Sequence, residues 1–416
     1  MKKASILLIL TCALSLNACA QWYLFPGKKK PTEPPKTATD SVRQNRPDSA
    51  RVQPGVNTPE AGPTETTPPV EETVQEQPYV LDMPGVIRIG LALPLQASSQ
   101  KPSDNFLDFY SGALMALRDL GNSGVKVDLQ VYDTADSKTA VPQSLIDESD
   151  VIIGPVSYDE LAQSAAQSGG KVLISPLEPK AAALAATGSV VQAPSAWNAQ
   201  QDEVVRWIRE ELPVGDVLYV VRDTAVQVQG EQSAYFVAQL QDRGVRYQSV
   251  LSVQDIPFRK GQKVRVAIAS DRENFITSTV RALSVEAARN NGVVLYGTSR
   301  VRTNGINQTD LHNTEAHLTM SYFIDYDDPE VKRFIRAYRS LFKNEPGSFS
   351  FQGYDTMHYF VTMCAKYGRQ WPKKLTSYGE KGLQADFRFG RETERVNVAA
   401  RRVIYHPDLT TSVQRY

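Results

Sequence analysis

Apolar and polar residues alternate along most of the chain with two periods, one typical of buried strands and one typical of amphipathic helices. The run Val86–Leu93 predicts a buried strand that ends at Pro94. Apolar positions three and four residues apart then predict a helix from about Phe106 to Leu120, with Gly121 as its C-cap. Because strands and helices go on alternating in this way, the sequence predicts an α/β fold with parallel, doubly wound sheets.

The alternation runs in two series that meet near Pro194. The further predicted strands are residues 125–132, 150–155, 171–174, 216–222, 247–253, 263–269 and 293–296, with short strands at 387–389 and 402–406. The further predicted helices open at Ser157 and at about residues 199, 231, 274, 329 and 350. Two such series predict two α/β lobes.

The first 18 residues have the pattern of a secretory signal peptide. Lys2 and Lys3 precede an apolar stretch, Ala4–Leu16, and this segment is therefore left out of the fold. The following Cys19 completes a segment that resembles a bacterial lipobox, which implies lipidation of Cys19 and a membrane anchor. An ordinary signal peptide with a chance cysteine is the alternative. Ala20 stands where inner-membrane lipoproteins of enteric bacteria have Asp, so we expect the outer membrane, facing the periplasm.

Residues 19–84 are predicted to form a disordered linker. Twelve of the 25 prolines lie between Ala20 and Pro84, together with many Thr, Glu and Gln residues. Such a segment cannot bury enough apolar surface to offset the entropy that ordering would cost. We expect it to act as a tether between the anchor and the globular part.

Charge and motif content exclude several function classes. The 46 basic and 46 acidic residues balance, which argues against a nucleic-acid partner. The four histidines have no zinc-ligand spacing, and neither a G-x-S-x-G elbow nor a phosphate-binding P-loop occurs. The sequence therefore predicts no metal site, no cofactor and no enzymatic activity, and it predicts Cys364 to be a small core residue.

Five segments together carry a family resemblance: Ile87–Pro94, Phe109–Leu117, Asp150–Ser157, Val172–Pro176 and Gly353–Asp355. In this order they resemble the opening strand and helix, the "D-V-I-I-G-P" strand, the strand ending in Ser-Pro and the "Y-D-A" helix start of one family. That family has the type I periplasmic binding protein fold and includes the branched-chain amino acid binding proteins. The segment ending in Phe387-Arg388-Phe389 resembles lipoprotein members of this fold in Bacteroidetes-type bacteria.

The resemblance implies two hinged lobes, the Venus-flytrap arrangement, behind the tether. It assigns residues 85–194 and about 321–378 to the first lobe, and residues 195–320 and about 379–416 to the second. A ligand would bind in the cleft between the lobes, near the carboxyl ends of the strands. The implied candidates are Ser157, Tyr158, Ser175, Asp223, Ser270, Asp271 and Arg300.

Several of these positions differ from the family pattern. Ser157 also begins a capping box, so its hydroxyl has a structural alternative. Glu178 and Pro179 stand where the amino-acid binders have a small residue and Thr. Gln229-Gly230 replaces an aromatic residue and Gly in the second lobe. These differences argue against binding of a free α-amino acid.

Two functions of different classes stay open. The first is a lipid-anchored protein that binds a small polar solute in the cleft, as relatives serving amino acid transport by ABC transporters do. The second is a scaffold or regulator of peptidoglycan synthesis that uses the same fold for contacts with an envelope protein. The tether and the altered ligand positions favour the second, and the cleft favours the first.

Overall fold

The computed structural model describes residues 82–135, 141–224, 230–289, 291–391 and 395–414. The predicted signal peptide, Cys19 and all but the last few residues of the predicted linker lie outside these ranges. None of the described helices is both long and apolar enough to cross a membrane.

A five-stranded, all-parallel sheet forms the first lobe, with the strand order β2-β1-β3-β4-β5. Its elements are β1 (Ile87–Leu93), α1 (Asp104–Asn122), β2 (Val127–Asp133), α2 (Gln143–Glu148), β3 (Val151–Ile153), α3 (Tyr158–Ala166), β4 (Leu173–Ser175), α4 (Ala182–Ala185) and β5 (Val190–Gln192). The strands β1, β3, β4 and β5 bury nearly continuous apolar runs, as parallel strands covered on both faces do, whereas the edge strand β2 is only partly buried.

A seven-stranded sheet forms the second lobe, with the strand order β14-β13-β10-β9-β8-β6-β7. Its elements begin with α5 (Trp197–Glu211), β6 (Leu218–Arg222), α6 (Glu231–Asp242), β7 (Tyr247–Val250), β8 (Lys263–Ala269), α7 (Glu273–Ala288), β9 (Gly292–Thr298), α8 (Gln308–Asn313) and β10 (His317–Met320). The chain then returns to the first lobe through α9 (Pro329–Phe342), α10 (Ser348–Tyr367), β11 (Glu380–Lys381) and β12 (Asp386–Phe387). Antiparallel β13 (Arg401–Tyr405) and β14 (Thr411–Gln414) complete the second sheet.

The predicted α/β class with two parallel-sheet lobes is confirmed, and β8 has the predicted bounds. The elements that the sequence pattern missed are α2, α4, α8, β5, β10 and β14. The two-residue strand β11 was missed as well. Each of these elements has at most six residues, too few for a period to show.

Residues 379–389 pack differently from the predicted lobe division. Phe387 and Phe389 are 3% and 4% exposed and belong to the first-lobe core. There Tyr359 of α10 stacks on Phe387 with the ring centroids 4.5 Å apart. The prediction placed these residues in the second lobe, but the apolar side chains carry the segment into the first, and the chain crosses over only after them.

Arg401, the first residue of β13, hydrogen-bonds to residues near the segments that connect the two lobes. Its guanidinium group is fully buried. All five of its N–H donors are used: Nη1 donates to the carbonyls of Phe323 and Leu383, Nη2 donates to Gly382 and Asp386, and Nε also donates to Asp386. Because an Arg side chain has five donors, its hydrogen-bonding capacity is saturated here.

A second buried side chain, Asn397, hydrogen-bonds to the remaining segment that connects the lobes. Its Nδ2 donates to the carbonyls of Ala193 and Asp386, at 2.9 and 2.8 Å. Its Oδ1 accepts from the backbone N–H groups of Arg388 and Ala399. Arg401 and Asn397 thus hold the three segments that connect the lobes in one hydrogen-bonded junction.

Arg401→Lys tests the junction. An ammonium group has three donors, whereas the guanidinium group serves four acceptor atoms, because Nε and Nη2 share Asp386 Oδ1. At least one acceptor therefore loses its partner, at a cost of about 1–3 kcal/mol. Urea unfolding is expected to show a loss of this size. The matched substitution at exposed Arg336, Arg336→Lys, is expected to change the free energy of unfolding by less than about 0.5 kcal/mol. Equal midpoints for both variants would contradict the assignment.

A polar cluster around Glu211 stabilises the second lobe. Its carboxylate accepts hydrogen bonds from Trp207 Nε1 and the Tyr296 hydroxyl, each at 2.6 Å, and lies 3.0 Å from His317 Nδ1. The buried Trp207 indole stacks on the His317 ring and also contacts the Arg402 guanidinium, whose central carbon lies 5.1 Å from the ring centroid. Although burial alone raises the pKa of Glu211, His317, Tyr296 and Trp207 lower this pKa to about 2.

This lowered pKa predicts a specific loss of stability in acid. A carboxylate with a depressed folded-state pKa stabilises the fold above its unfolded pKa, and this stability is lost as the pH falls toward about 2. We expect Glu211→Gln to be less stable than the parent at neutral pH and to show a flatter decline of melting temperature below about pH 4.5. Exposed Glu148→Gln serves as the control, and an unchanged acid profile in Glu211→Gln would contradict the prediction.

Candidate functional site

Each sheet has one point where the strand order reverses. In the first sheet β1 lies between β2 and β3, and in the second β6 lies between β7 and β8. The connections on the two sides of such a point leave toward opposite faces of the sheet, which opens a crevice at the carboxyl ends of the strands. Ligands of open α/β sheets bind in these crevices.

Five of the seven predicted ligand residues follow strands that flank these reversal points. Ser157 and Tyr158 come after β3, Asp223 after β6, and Ser270 and Asp271 after β8. The remaining two, Ser175 and Arg300, lie at the ends of the neighbouring strands β4 and β9. All seven predicted residues therefore lie at or just after the carboxyl ends of strands, and their role in ligand binding stays a prediction.

A pocket in the second lobe brings three of these residues together. Ser270, Asp271 and Arg300 line a cavity of about 30 Å³, enough for one or two water molecules. The sequence analysis missed the other polar lining residues, Gln201, Ser233 and Thr298. Gln201 and Ser233 lie inside helices, and nothing in the surrounding sequence marks them as site residues. Thr298 ends β9, so the expectation that ligands bind at strand ends applies to it as well.

The carboxylate of Asp271 occupies the amino end of α6. It accepts hydrogen bonds from the backbone N–H groups of Gln232 and Ser233, at 3.1 and 2.9 Å. These donors have no partner within the helix, so the acidic side chain satisfies them and also complements the helix dipole. A β-carbon on Gly230 would lie 2.1 Å from Asp271 Oδ2, which explains why glycine stands there.

A second hydrogen-bonded group beside the pocket consists of Asp223, Ser270 and Arg272. The buried Asp223 carboxylate accepts two hydrogen bonds from the Arg272 guanidinium, both at 2.6 Å, and one from the Ser270 hydroxyl at 2.8 Å. Arg300 is fixed from the same loop, because its Nη2 donates to the Asp271 carbonyl at 2.7 Å. The charges of this lobe are thus oriented by the protein itself.

The predicted hydroxyls of the first lobe also have local partners. Ser157 Oγ accepts from the Glu160 backbone N–H and donates to Glu160 Oε2, so it caps α3. Ser175 is fully buried, and its hydroxyl donates to the Glu178 carbonyl at 3.5 Å. Tyr158 is half-buried at the start of α3.

Glu160 is a residue at this edge that the sequence analysis named only as part of the capping box. It is 3% exposed, and its Oε1 has no hydrogen-bond partner among the described residues. A buried carboxylate oxygen in this state favours a hydrogen-bond donor over a second carboxylate as its neighbour. This agrees with the sequence argument against a free amino acid bound through its carboxylate.

Other reactive chemistry is missing from the part of the chain that the structure describes. No group of three or more His, Cys, Asp or Glu residues there is arranged to hold a metal ion. Burial raises the pKa of the Cys364 thiol to about 12, so this thiol is a poor nucleophile at neutral pH.

Comparison with known proteins identifies the family. Residues 86–397 match the model of the periplasmic binding protein family, so the chain belongs to this family. It is similar in fold to a protein from Rhodospirillum rubrum described as a branched-chain amino acid ABC transporter, with a TM-score of 0.57 and 16% identity over 79% of this chain and 100% of the other. A protein of the same description from Silicibacter pomeroyi has a TM-score of 0.51 and 11% identity, over 79% and 96% of the two chains. No curated protein sequence matches this chain.

Gly230→Ala tests whether the Asp271 carboxylate caps α6. The added methyl group displaces the carboxylate from α6, and loss of such a helix cap costs about 0.5–2 kcal/mol. The control is Gly121→Ala in α1, where the β-carbon meets no atom within 4 Å. This control is expected to be neutral or to stabilise by up to about 1 kcal/mol. A lower melting temperature for Gly230→Ala but not for Gly121→Ala supports the helix cap formed by Asp271. Equal shifts in the two variants contradict it.

Proposed function

We propose that the chain is a non-enzymatic cell-envelope receptor that binds a small polar solute between its two lobes. The observation that carries the proposal is the location of the polar residues at the order reversal of each sheet. Ser157 and Tyr158 follow β3 in the first lobe, and Asp223, Ser270 and Asp271 follow β6 and β8 in the second. Polar groups at both reversal points are what a cleft receptor requires.

The charged side chains of the site already have partners within the protein, and this indicates the kind of solute. Asp271 already fills the amino end of α6, and Asp223 is neutralised by Arg272. The unpartnered oxygen of Glu160 disfavours a carboxylate next to the first turn of α3. A solute without a free carboxylate, such as a nucleoside or a polar amide, fits this arrangement better than a free amino acid.

The localisation part of the proposal rests on the sequence. Cys19 supplies the lipid anchor, and Ala20 favours the outer membrane over the inner one. The linker up to residue 84 then lets the receptor act at a distance from the membrane surface. Family membership is consistent with a site in the periplasm or envelope.

A thermal-shift screen of the purified chain with amino-acid, short-peptide and nucleoside pools tests the proposal. We expect a positive shift with a carboxylate-free pool and none with free amino acids. The active pool is then repeated on Arg300→Ala, which removes a pocket-lining cation, and on Arg336→Ala, an exposed helix residue on the other lobe. Loss of the shift in the first variant alone supports the pocket, whereas no shift with any pool contradicts solute binding.

A second function, a scaffold or regulator of peptidoglycan synthesis, is favoured by one observation. The second-lobe pocket holds only about 30 Å³, and its charged groups are satisfied internally. A module of this kind would act through protein contacts with a cell-wall enzyme. Cross-linking in intact cells followed by mass spectrometry tests this function. Recovery of a peptidoglycan synthase, with no solute shift in the screen, would favour the scaffold over the receptor.

A further inference from the structure

A separate cavity of about 380 Å³ lies on the first lobe between α1, α9 and α10. Ligand pockets usually measure about 300–1,000 Å³, so this one is large enough for a small organic molecule. Its α1 residues come from the second half of that helix, close to the start of β2. The cavity therefore lies toward the amino edge of the sheet, away from the strand ends discussed above.

Helical spacing brings the lining residues together. Positions three and four apart on α9 place Glu330, Arg333, Phe334 and Ala337 on one face. Positions Met115, Arg118 and Asp119 of α1 form the facing wall, and Tyr354 and His358 of α10 form the third.

The cavity has an apolar floor and a charged rim. Met115, Phe334 and Leu383 are 1%, 4% and 9% exposed and belong to one hydrophobic cluster. At the rim Arg118 pairs with Asp119 at 2.9 Å, and Arg333 pairs with Glu330. Such a cavity favours a ligand that has both an apolar body and a polar end.

His358 is the oriented polar group of the cavity. Its Nδ1 bonds to the Glu380 carboxylate, which also accepts a hydrogen bond from the Tyr378 hydroxyl at 2.8 Å. The imidazole stacks on the Tyr354 ring with a centroid distance of 5.7 Å and an angle of 12°. Glu380 and Tyr354 thus fix the ring, in the way that supporting residues hold a functional histidine in place.

The other ring nitrogen of His358 is available to a ligand. Nε2 has no hydrogen-bond partner among the described residues, although the ring lines the cavity. The bond to a carboxylate requires a proton on Nδ1. Burial alone lowers the pKa of His358, but Glu380 raises this pKa above its usual value. When the ring also carries a proton on Nε2, this atom is a donor that a ligand in the cavity can use.

We propose that this cavity binds a small amphipathic carboxylate. Its apolar body rests on Met115, Phe334 and Leu383, and a carboxylate oxygen accepts a hydrogen bond from His358 Nε2. Arg118 and Arg333 are already paired with Asp119 and Glu330, so His358 is the group that distinguishes a carboxylate from a neutral ligand. The site is distinct from the strand-end pocket, and the proposal does not depend on the solute-binding function described above.

Calorimetric titration of the full chain with hexanoate and its neutral analogue hexanamide tests the proposal. We expect hexanoate to bind with a dissociation constant in about the micromolar to millimolar range. Hexanamide is expected to bind at least about tenfold more weakly, because its hydrogen bond to the imidazolium carries no charge on the acceptor. Absence of hexanoate binding, or equal affinity for both compounds, would overturn the proposal.

Two variants locate the bound carboxylate. His358→Phe keeps a ring against Tyr354 but removes Nε2, and Ala337→Trp fills the cavity without changing charge. Each is expected to weaken hexanoate binding at least about tenfold. His406→Phe in the second lobe is the matched control and should bind like the parent chain. Because Ala337→Trp leaves the His358 cluster intact, parent-like binding by it would overturn the proposal even if His358→Phe failed to fold.

Arg300→Ala separates this proposal from the proposed function. Hexanoate binding that survives Arg300→Ala and is lost in Ala337→Trp supports a site on the first lobe. Hexanoate binding that is lost only in Arg300→Ala places the carboxylate in the strand-end pocket and overturns the proposal. A failure of the solute screen described earlier leaves this outcome unaffected, because Ala337→Trp and Arg300→Ala assign the hexanoate signal to one of the two pockets.

Discussion

The buried guanidinium of Arg401 is the constraint on which the two-lobed arrangement depends. Its five hydrogen bonds reach Phe323, Gly382, Leu383 and Asp386, so one side chain fixes two of the three crossings. Asn397 joins the third through the Ala193 carbonyl. A charge this deeply buried is tolerated only where every donor is satisfied, and that requirement fixes the course of all three segments relative to one another.

The candidate site follows the same principle of internal pairing. Asp271 serves the amino end of α6, and Asp223 holds Arg272 and Ser270, so the strand ends of the second lobe are ordered before any ligand arrives. Such pre-organisation lowers the entropy that binding must offset. For the proposed solute site, it also argues against a free amino acid, because these charged groups are already paired within the protein.

Sequence periodicity was sufficient for the fold class and for the longer elements. The seven-residue strand β8 alternates clearly, whereas β5 and β10, with three and four residues, are too short for any period to be detected. The expectation that ligands bind at strand ends pointed to Ser270, Asp271 and Arg300, which line one pocket. It could not show that Asp271 caps α6, because that contact joins residues 38 positions apart. Likewise the acceptors of Arg401 lie up to 78 residues away, and no local pattern marks them.

The central claim is that the strand ends of both lobes form one solute site. Hydrogen–deuterium exchange of the full chain, with and without the solute pool that raises its melting temperature, tests this claim most directly. The account predicts slower amide exchange in both lobes at once, at the start of α3 and at the start of α6. Protection confined to one lobe, or a pool that stabilises the chain without protecting either helix start, would contradict it.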